Sequence, residues 1–132
     1  MKALIVEDDL TSRLMLQEYL KLYGTVQVAA DGNAAVEAMR QALQADQPYD
    51  VILLDIMMPG MDGHQALKHI RALEKEAGVW PSYAVKVVIT TTLLNDSQSA
   101  SAAYGSLCDA CLAKPVDKTR LLAKLREMLI IK

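Results

Sequence analysis

Positive charge is scarce in this sequence: 14 lysines and arginines are set against 16 aspartates and glutamates, for a net charge of −2. Nucleic acids and anionic membranes are gripped by a basic face, and this balance supplies none. No apolar run approaches the ~18 residues of a membrane span. The N-terminus, Met1 to Asp9, turns acidic after a short apolar run, unlike a secretory signal. Cys108 and Cys111 are the only cysteines, too few for a disulfide framework, so a reducing cytoplasm is the expected compartment. A redox pair of that spacing normally opens a helix. This one leads into a strand, where a spacing of three puts the side chains on opposite faces. No second cysteine pair is present to complete a zinc site.

What remains is an ordinary globular composition, 132 residues with 52% apolar and 23% charged, enough for one domain spanning 1–132 with a real core. The most telling stretch is Val51-Ile52-Leu53-Leu54-Asp55. Four large apolar residues without alternation read as a strand buried on both faces, as in a parallel sheet. Such a strand has no reason of its own to end on a carboxylate. Lys2–Val6, Thr25–Ala29, Val85–Thr91 and Leu107–Ala113 read as further strands. Apolar residues at helical spacing mark helices over Leu10–Tyr23, stopped by Gly24, after Asn33 and Asp117, which can serve as caps, and from Asp62-Gly63, which opens the third. Asp9 is a candidate cap for the first of them. A thinner helical pattern follows Asn95-Asp96-Ser97, rich in serine and alanine up to Tyr104, and is expected to be loosely packed. Five strands alternating with five helices predict an α/β fold, a doubly wound parallel sheet in the flavodoxin-like order 2-1-3-4-5.

In that order the C-terminal strand ends share one edge. It receives Glu7 and Asp8, Asp55, Thr91 or Thr92, and Lys114. Each has a plain structural alternative as a cap, a β-branched strand residue or a solvated lysine; their coincidence at one edge does not. Three converging carboxylates demand a cation or shifted protonation. Oxygen-only ligands suit Mg²⁺. A carboxylate beside Mg²⁺, an ammonium and a hydroxyl is equipped to attack phosphorus.

Glu7-Asp8, Asp55 followed by Met58-Pro59-Gly60-Met61-Asp62-Gly63, Thr91 and Lys114-Pro115 together resemble the receiver domain of bacterial two-component response regulators, over essentially the whole chain. The resemblance implies that Asp55 accepts a phosphoryl group from a sensor histidine kinase or a histidine phosphotransfer protein. It implies Mg²⁺ held by Asp8, Asp55 and the backbone carbonyl of Met57, with Glu7 acting through water. Thr91 and Lys114 would hold the phosphoryl oxygens, and the bond before Pro115 is often cis in this family. The implied output surface is the fourth helix, fifth strand and fifth helix, read by a downstream effector or, on phosphorylation, by a second copy of the chain. Neither nucleic acid nor membrane is an expected direct partner.

The sequence departs from the family where an aromatic switch residue usually lies, three positions before the lysine; Cys111 stands there. Thr91 is preferred over Thr92 as the switch hydroxyl from the strand pattern, although counting back from Lys114 gives Thr92. Apolar Met57 and Leu93 flank the site and predict a long-lived phosphoryl group. His64 and His69 are expected to be surface residues. A phosphatase with an aspartate nucleophile would need a second aspartate two residues on, where Met57 stands. Flavin binding would need a glycine- or hydroxyl-rich loop after the first strand, where Glu7-Asp8 would repel phosphate. A receiver serving only as a constitutive interaction module is disfavoured by the complete set of phosphorylation residues.

Overall fold

The computed structural model describes residues 1–57, 62–92 and 107–132. Five strands, β1 (Lys2–Val6), β2 (Thr25–Ala29), β3 (Val51–Asp55), β4 (Lys86–Thr91) and β5 (Ala110–Ala113), form one sheet in the order β2-β1-β3-β4-β5. All four pairings are parallel, as the alternation of strand and helix patterns predicts. Helices α1 (Leu10–Leu20), α2 (Gly32–Gln44), α3 (Gly63–Glu76) and α4 (Lys118–Glu127) complete the described elements, with a short 3-10 turn at Pro81–Tyr83. The helix expected after Asn95 lies outside the described residues.

The sheet divides two apolar layers. On one face Leu4, Val6, Ile52, Leu54, Val87 and Ile89 pack against Ala35, Met39 and Ala42 of α2 and Leu67 and Ile70 of α3. On the other, Ala3, Ile5, Val51, Leu53 and Val88 pack against Leu16 and Leu20 of α1 and Leu121, Leu122 and Leu125 of α4. Every residue of β3 is buried, which is why its apolar run shows no alternation.

Aspartates start all four helices. Asp9, Asp31, Asp62 and Asp117 each accept a hydrogen bond from the backbone N–H three residues on, satisfying one of the helix's orphan donors. Asp62 and Gln65 form a reciprocal capping box. The second helix differs from the sequence reading. Asp31, in extended conformation, is the cap instead of Asn33, which lies within the first turn. The first helix also ends earlier than expected, at Leu20 rather than Tyr23. The chain must turn there to bring Gly24 against Met1, where a Cβ would lie 2.0 Å from the Met1 carbonyl oxygen.

The fifth strand begins at Ala110, not Leu107. Side chains take the backbone groups that a longer ladder would use. The Asp109 carboxylate accepts from the Val87 N–H at 2.8 Å, and Arg71 donates twice to the Leu107 carbonyl, at 3.0 and 2.8 Å. Because Cys108 precedes the strand, alternation does not apply to it. Cys108 and Cys111 pack against the same apolar layer instead of opposite faces. They form no disulfide, and burial, with the nearby charge of Asp109, pushes the Cys108 thiol pKa up, which disfavours a reactive thiolate.

Gly63, the first residue of α3, lies directly against the end of β3. A Cβ there would sit 2.6 Å from the Ile56 Cα and 2.9 Å from the Asp55 carbonyl oxygen. Both are backbone atoms with no rotamer to yield. Gly63→Ala is therefore expected to destabilise the fold by about 1–3 kcal/mol, the range for overpacking a filled site, as a lowered midpoint in thermal or urea unfolding.

Candidate functional site

The strand ends deliver what the sequence assigns to them. Leaving β1, the chain presents Glu7 and then Asp8; β3 ends on Asp55; Lys114 immediately follows β5. One carboxylate oxygen from each of Glu7, Asp8 and Asp55 lies within 4.8 Å of the others. Glu7 and Asp55 are only 1% and 3% exposed, whereas Asp8 is open to solvent. Asp9 is turned to a different task, capping α1 through the Ser12 N–H at 2.9 Å, which draws its pKa below the usual carboxylate value.

Lys114 joins the carboxylates. Its Nζ lies 2.6 Å from Glu7 Oε2 and 3.2 Å from Asp55 Oδ2. The other Asp55 oxygen accepts from the Met57 N–H at 3.0 Å, so both Asp55 oxygens are held in place. The β1–α1 loop is tied twice, by Arg13 donating to the Glu7 carbonyl at 3.1 Å and by the Asp9 N–H donating to Glu7 Oε1 at 3.1 Å. The Lys114–Pro115 peptide bond is cis.

Burial pushes the Glu7 pKa up, and the charge of Asp55 adds to this; the Lys114 hydrogen bond and the Asp9 N–H oppose without cancelling it. For Lys114, burial alone would lower the pKa. The Glu7 hydrogen bond and the charge of Asp55 outweigh it, and the ammonium is held above its ordinary value. Three carboxylates against one ammonium leave two negative charges when all are ionised, the charge of one divalent cation. The donors are all oxygens, a set that suits Mg²⁺ and gives a thiolate- or imidazole-seeking metal nothing to prefer.

Thr91 is fully buried at the end of β4, and its carbonyl accepts from the Lys114 N–H at 2.7 Å. Thr92 lies beyond the strand and is exposed. Cys111 is the register partner of Ile89 on β4. His69 is exposed as expected, but His64 is half-buried. Leu93 and Met58 to Met61 lie outside the described residues.

Sequence reasoning missed a second polar cluster at the opposite end of the sheet. Glu74, 5% exposed, accepts from the Val85 N–H at 2.7 Å and pairs with Arg71 at 2.7 Å; Arg71 also reaches Asp109 at 3.4 Å. Nothing in the sequence distinguishes Arg71 and Glu74 from charges on an exposed helix face, because their partners are backbone groups far away in the chain. The cluster ties α3 to the starts of β4 and β5.

Residues 3–126 match the response regulator receiver domain family. The sensor protein GacS of Pseudomonas syringae is 33% identical over 121 residues, covering 91% of this chain and 12% of that protein. Among solved structures, the receiver domain of the Arabidopsis thaliana histidine kinase CKI1, complexed with Mg²⁺ and BeF₃⁻, superposes with a TM-score of 0.78 at 27% identity, covering 97% of this chain and 89% of that one. The Saccharomyces cerevisiae complex of the phosphotransfer protein Ypd1 with the Ssk1 receiver domain gives 0.78 at 27% identity, covering 96% and 87%. The chain belongs to the response regulator receiver domain family, the phosphoacceptor switch modules of two-component phosphorelays. It spans only about 12% of the length of GacS.

The raised Glu7 pKa has a measurable consequence. Glu7 keeps its proton above the ordinary carboxylate value of 4.5, so Mg²⁺ affinity is expected to strengthen as pH rises through that region, measured by calorimetric titration. In the metal-free protein the same shift favours the folded state at low pH and loses that contribution as pH rises above 4.5. Glu7→Gln should accordingly weaken Mg²⁺ binding and flatten its dependence on pH across that range.

Proposed function

We propose that Asp55 is the phosphoacceptor and that the chain acts as a phosphorylation-controlled binding switch. The observation that carries this reading is the Lys114 ammonium held between the buried carboxylates of Glu7 and Asp55. In the transfer, an Asp55 carboxylate oxygen attacks the phosphorus of a phosphohistidine. The P–N bond breaks with its electron pair returning to the imidazole, and an aspartyl phosphate forms. Lys114 is placed to neutralise phosphoryl oxygens, and the Met57 N–H fixes the attacking carboxylate. Asp8, Asp55 and the Met57 carbonyl, with Glu7 through water, would hold Mg²⁺, which supplies charge neutralisation for the transferring group. Thr91 is the proposed switch hydroxyl, supported by its burial at the end of β4 and by the exposure of Thr92.

The phosphodonor is proposed to be a sensor histidine kinase or a histidine phosphotransfer protein; the Ypd1–Ssk1 likeness supports the second. Leu10, next to Asp9, and Met57, whose N–H binds Asp55, are large exposed apolar residues beside the site and are proposed as contacts for such a donor. Phosphorylation adds nearly two negative charges. The proposed output face comprises β5, α4 and the segment 93–104, read by an effector or by a second phosphorylated copy. With Cys111 in place of an aromatic residue, the switch would work without a ring rotation.

The reading implies a cytoplasmic setting, where kinases draw on ATP. Among the described residues no helix is long and apolar enough to cross a membrane. A bacterial phosphorelay is the proposed setting, in keeping with the resemblance and with the Pseudomonas relative; yeast and plant proteins are among the matched relatives too.

Acetyl phosphate or BeF₃⁻ with Mg²⁺ tests the reading directly. The wild-type chain should show a phosphoryl mass increase or a BeF₃⁻-dependent spectral change that Asp55→Asn abolishes. If neither reagent produced an Asp55-dependent change, the proposal would fail. With an apolar residue at Met57, the phosphoryl group is expected to persist well beyond seconds; a half-life of only seconds would contradict that part of the account.

A further inference from the structure

A cavity of about 560 Å³ opens at the end of the sheet opposite the carboxylate cluster, a volume within the range of small-molecule sites. Its walls are the C-terminal part of α3, the loop that follows, the start of β4 and Asp109. Backbone bonds hold the loop in shape. The Val79 N–H donates to the Glu74 carbonyl at 3.0 Å, and the Tyr83 N–H to the Trp80 carbonyl at 2.8 Å. Pro81 fixes the backbone directly after Trp80. Trp80, the only tryptophan in the chain, lines this cavity and is 73% exposed. An aromatic ring on a fixed backbone offers a stacking surface at little entropic cost.

The lining carries three cations, Arg71, Lys75 and Lys86, against two carboxylates, Glu74 and Asp109, which leaves one positive charge in excess. Both carboxylates already have donors: Glu74 accepts from Arg71 and the Val85 N–H, and Asp109 from the Val87 N–H and Arg71. Arg71 is further committed to the Leu107 and Val85 carbonyls. The two lysines are less engaged. Lys86 reaches Asp109 only at 3.9 Å, and exposed Lys75 forms no ion pair among the described residues. A smaller cavity, of about 230 Å³, shares Gly78, Val79 and Trp80 with the first and adds Tyr83; Asp46 is the charged residue of its lining.

We propose that the larger cavity binds a small planar aromatic carboxylate, with its ring stacked on Trp80 and its anion paired with Lys75 and Lys86. One negative charge matches the single positive charge in excess. Asp46 repels an anion from the smaller cavity, which places the ligand on the side of α3 and β4. The site stands apart from the phosphoacceptor chemistry and does not depend on it.

2-Naphthoate serves as the probe. Trp80, as the only tryptophan, gives one indole N–H signal in a ¹H–¹⁵N spectrum. Titration should shift that signal saturably, together with the Val85 and Lys86 amides. Trp80→Ala, followed at those amides, should weaken affinity roughly tenfold, the scale of one aromatic stack, and Trp80→Phe should restore most of it. Replacing both lysines, Lys75→Gln with Lys86→Gln, should weaken affinity roughly fivefold, the scale of two exposed ion pairs. Naphthalene-2-methanol, which keeps the ring and lacks the charge, should bind the wild type correspondingly less well. Tyr83→Ala, which alters only the smaller cavity, should leave affinity unchanged. The lysine pair and the neutral probe keep the test decisive if Trp80→Ala does not fold. The absence of a saturable shift at millimolar probe, equal binding of the neutral alcohol, indifference to both lysines, or an affinity that follows Tyr83 instead of Trp80 overturns the inference.

Discussion

One ammonium organises this end of the molecule. Lys114 Nζ contacts Glu7 and Asp55 together, 107 residues apart from the first in sequence, and so closes β1, β3 and β5 around a single charge centre. Without it, two buried carboxylates would face each other with Asp8 alongside, at a cost that burial makes severe. With it, the cluster is still short of positive charge, and that shortfall is the site's capacity. Burial, with the charge of Asp55, leaves Glu7 reluctant to ionise, and the remaining negative charge makes a divalent cation welcome.

The remainder of the fold makes that arrangement rigid. β3 is buried on both faces and cannot shift without disturbing both apolar layers. Gly63 lets α3 start in direct contact with the β3 end, so the carboxylate is held from below by the sheet and from the side by a helix. A carboxylate fixed in this way serves as a reference point around which loops can respond to charge. At the opposite edge the Arg71, Glu74 and Asp109 cluster secures the beginnings of β4 and β5, the strands that carry Thr91 and lead into Lys114.

Much of this was legible in the sequence because it rests on short-range signals. The strand of Val51 to Asp55 and the caps at Asp9 and Asp117 need only local pattern, and the strand order follows from alternation and handedness. The acidic cluster was legible for the same reason: its members sit at strand ends, and parallel order brings strand ends together. What was not legible depends on distant partners. Asp31 displaces Asn33 as a cap through local backbone geometry that composition leaves open. β5 starts late because Asp109 and Arg71 capture backbone groups from elsewhere in the chain. The three consecutive threonines looked equivalent until register separated them: Thr91 on one face, Thr90 beside Asp55 on the other, and Thr92 in solvent.

The central claim is that phosphoryl chemistry happens at one carboxylate, within a cation site that the strand ends build. Site mapping tests it most directly: load the chain with acetyl phosphate in the presence and absence of Mg²⁺, digest it, and locate the acyl phosphate by peptide mass spectrometry. The account predicts label on Asp55 alone and only when Mg²⁺ is present. Label on Asp8, Glu7 or a histidine, or loading of Asp55 that is indifferent to Mg²⁺, would contradict it.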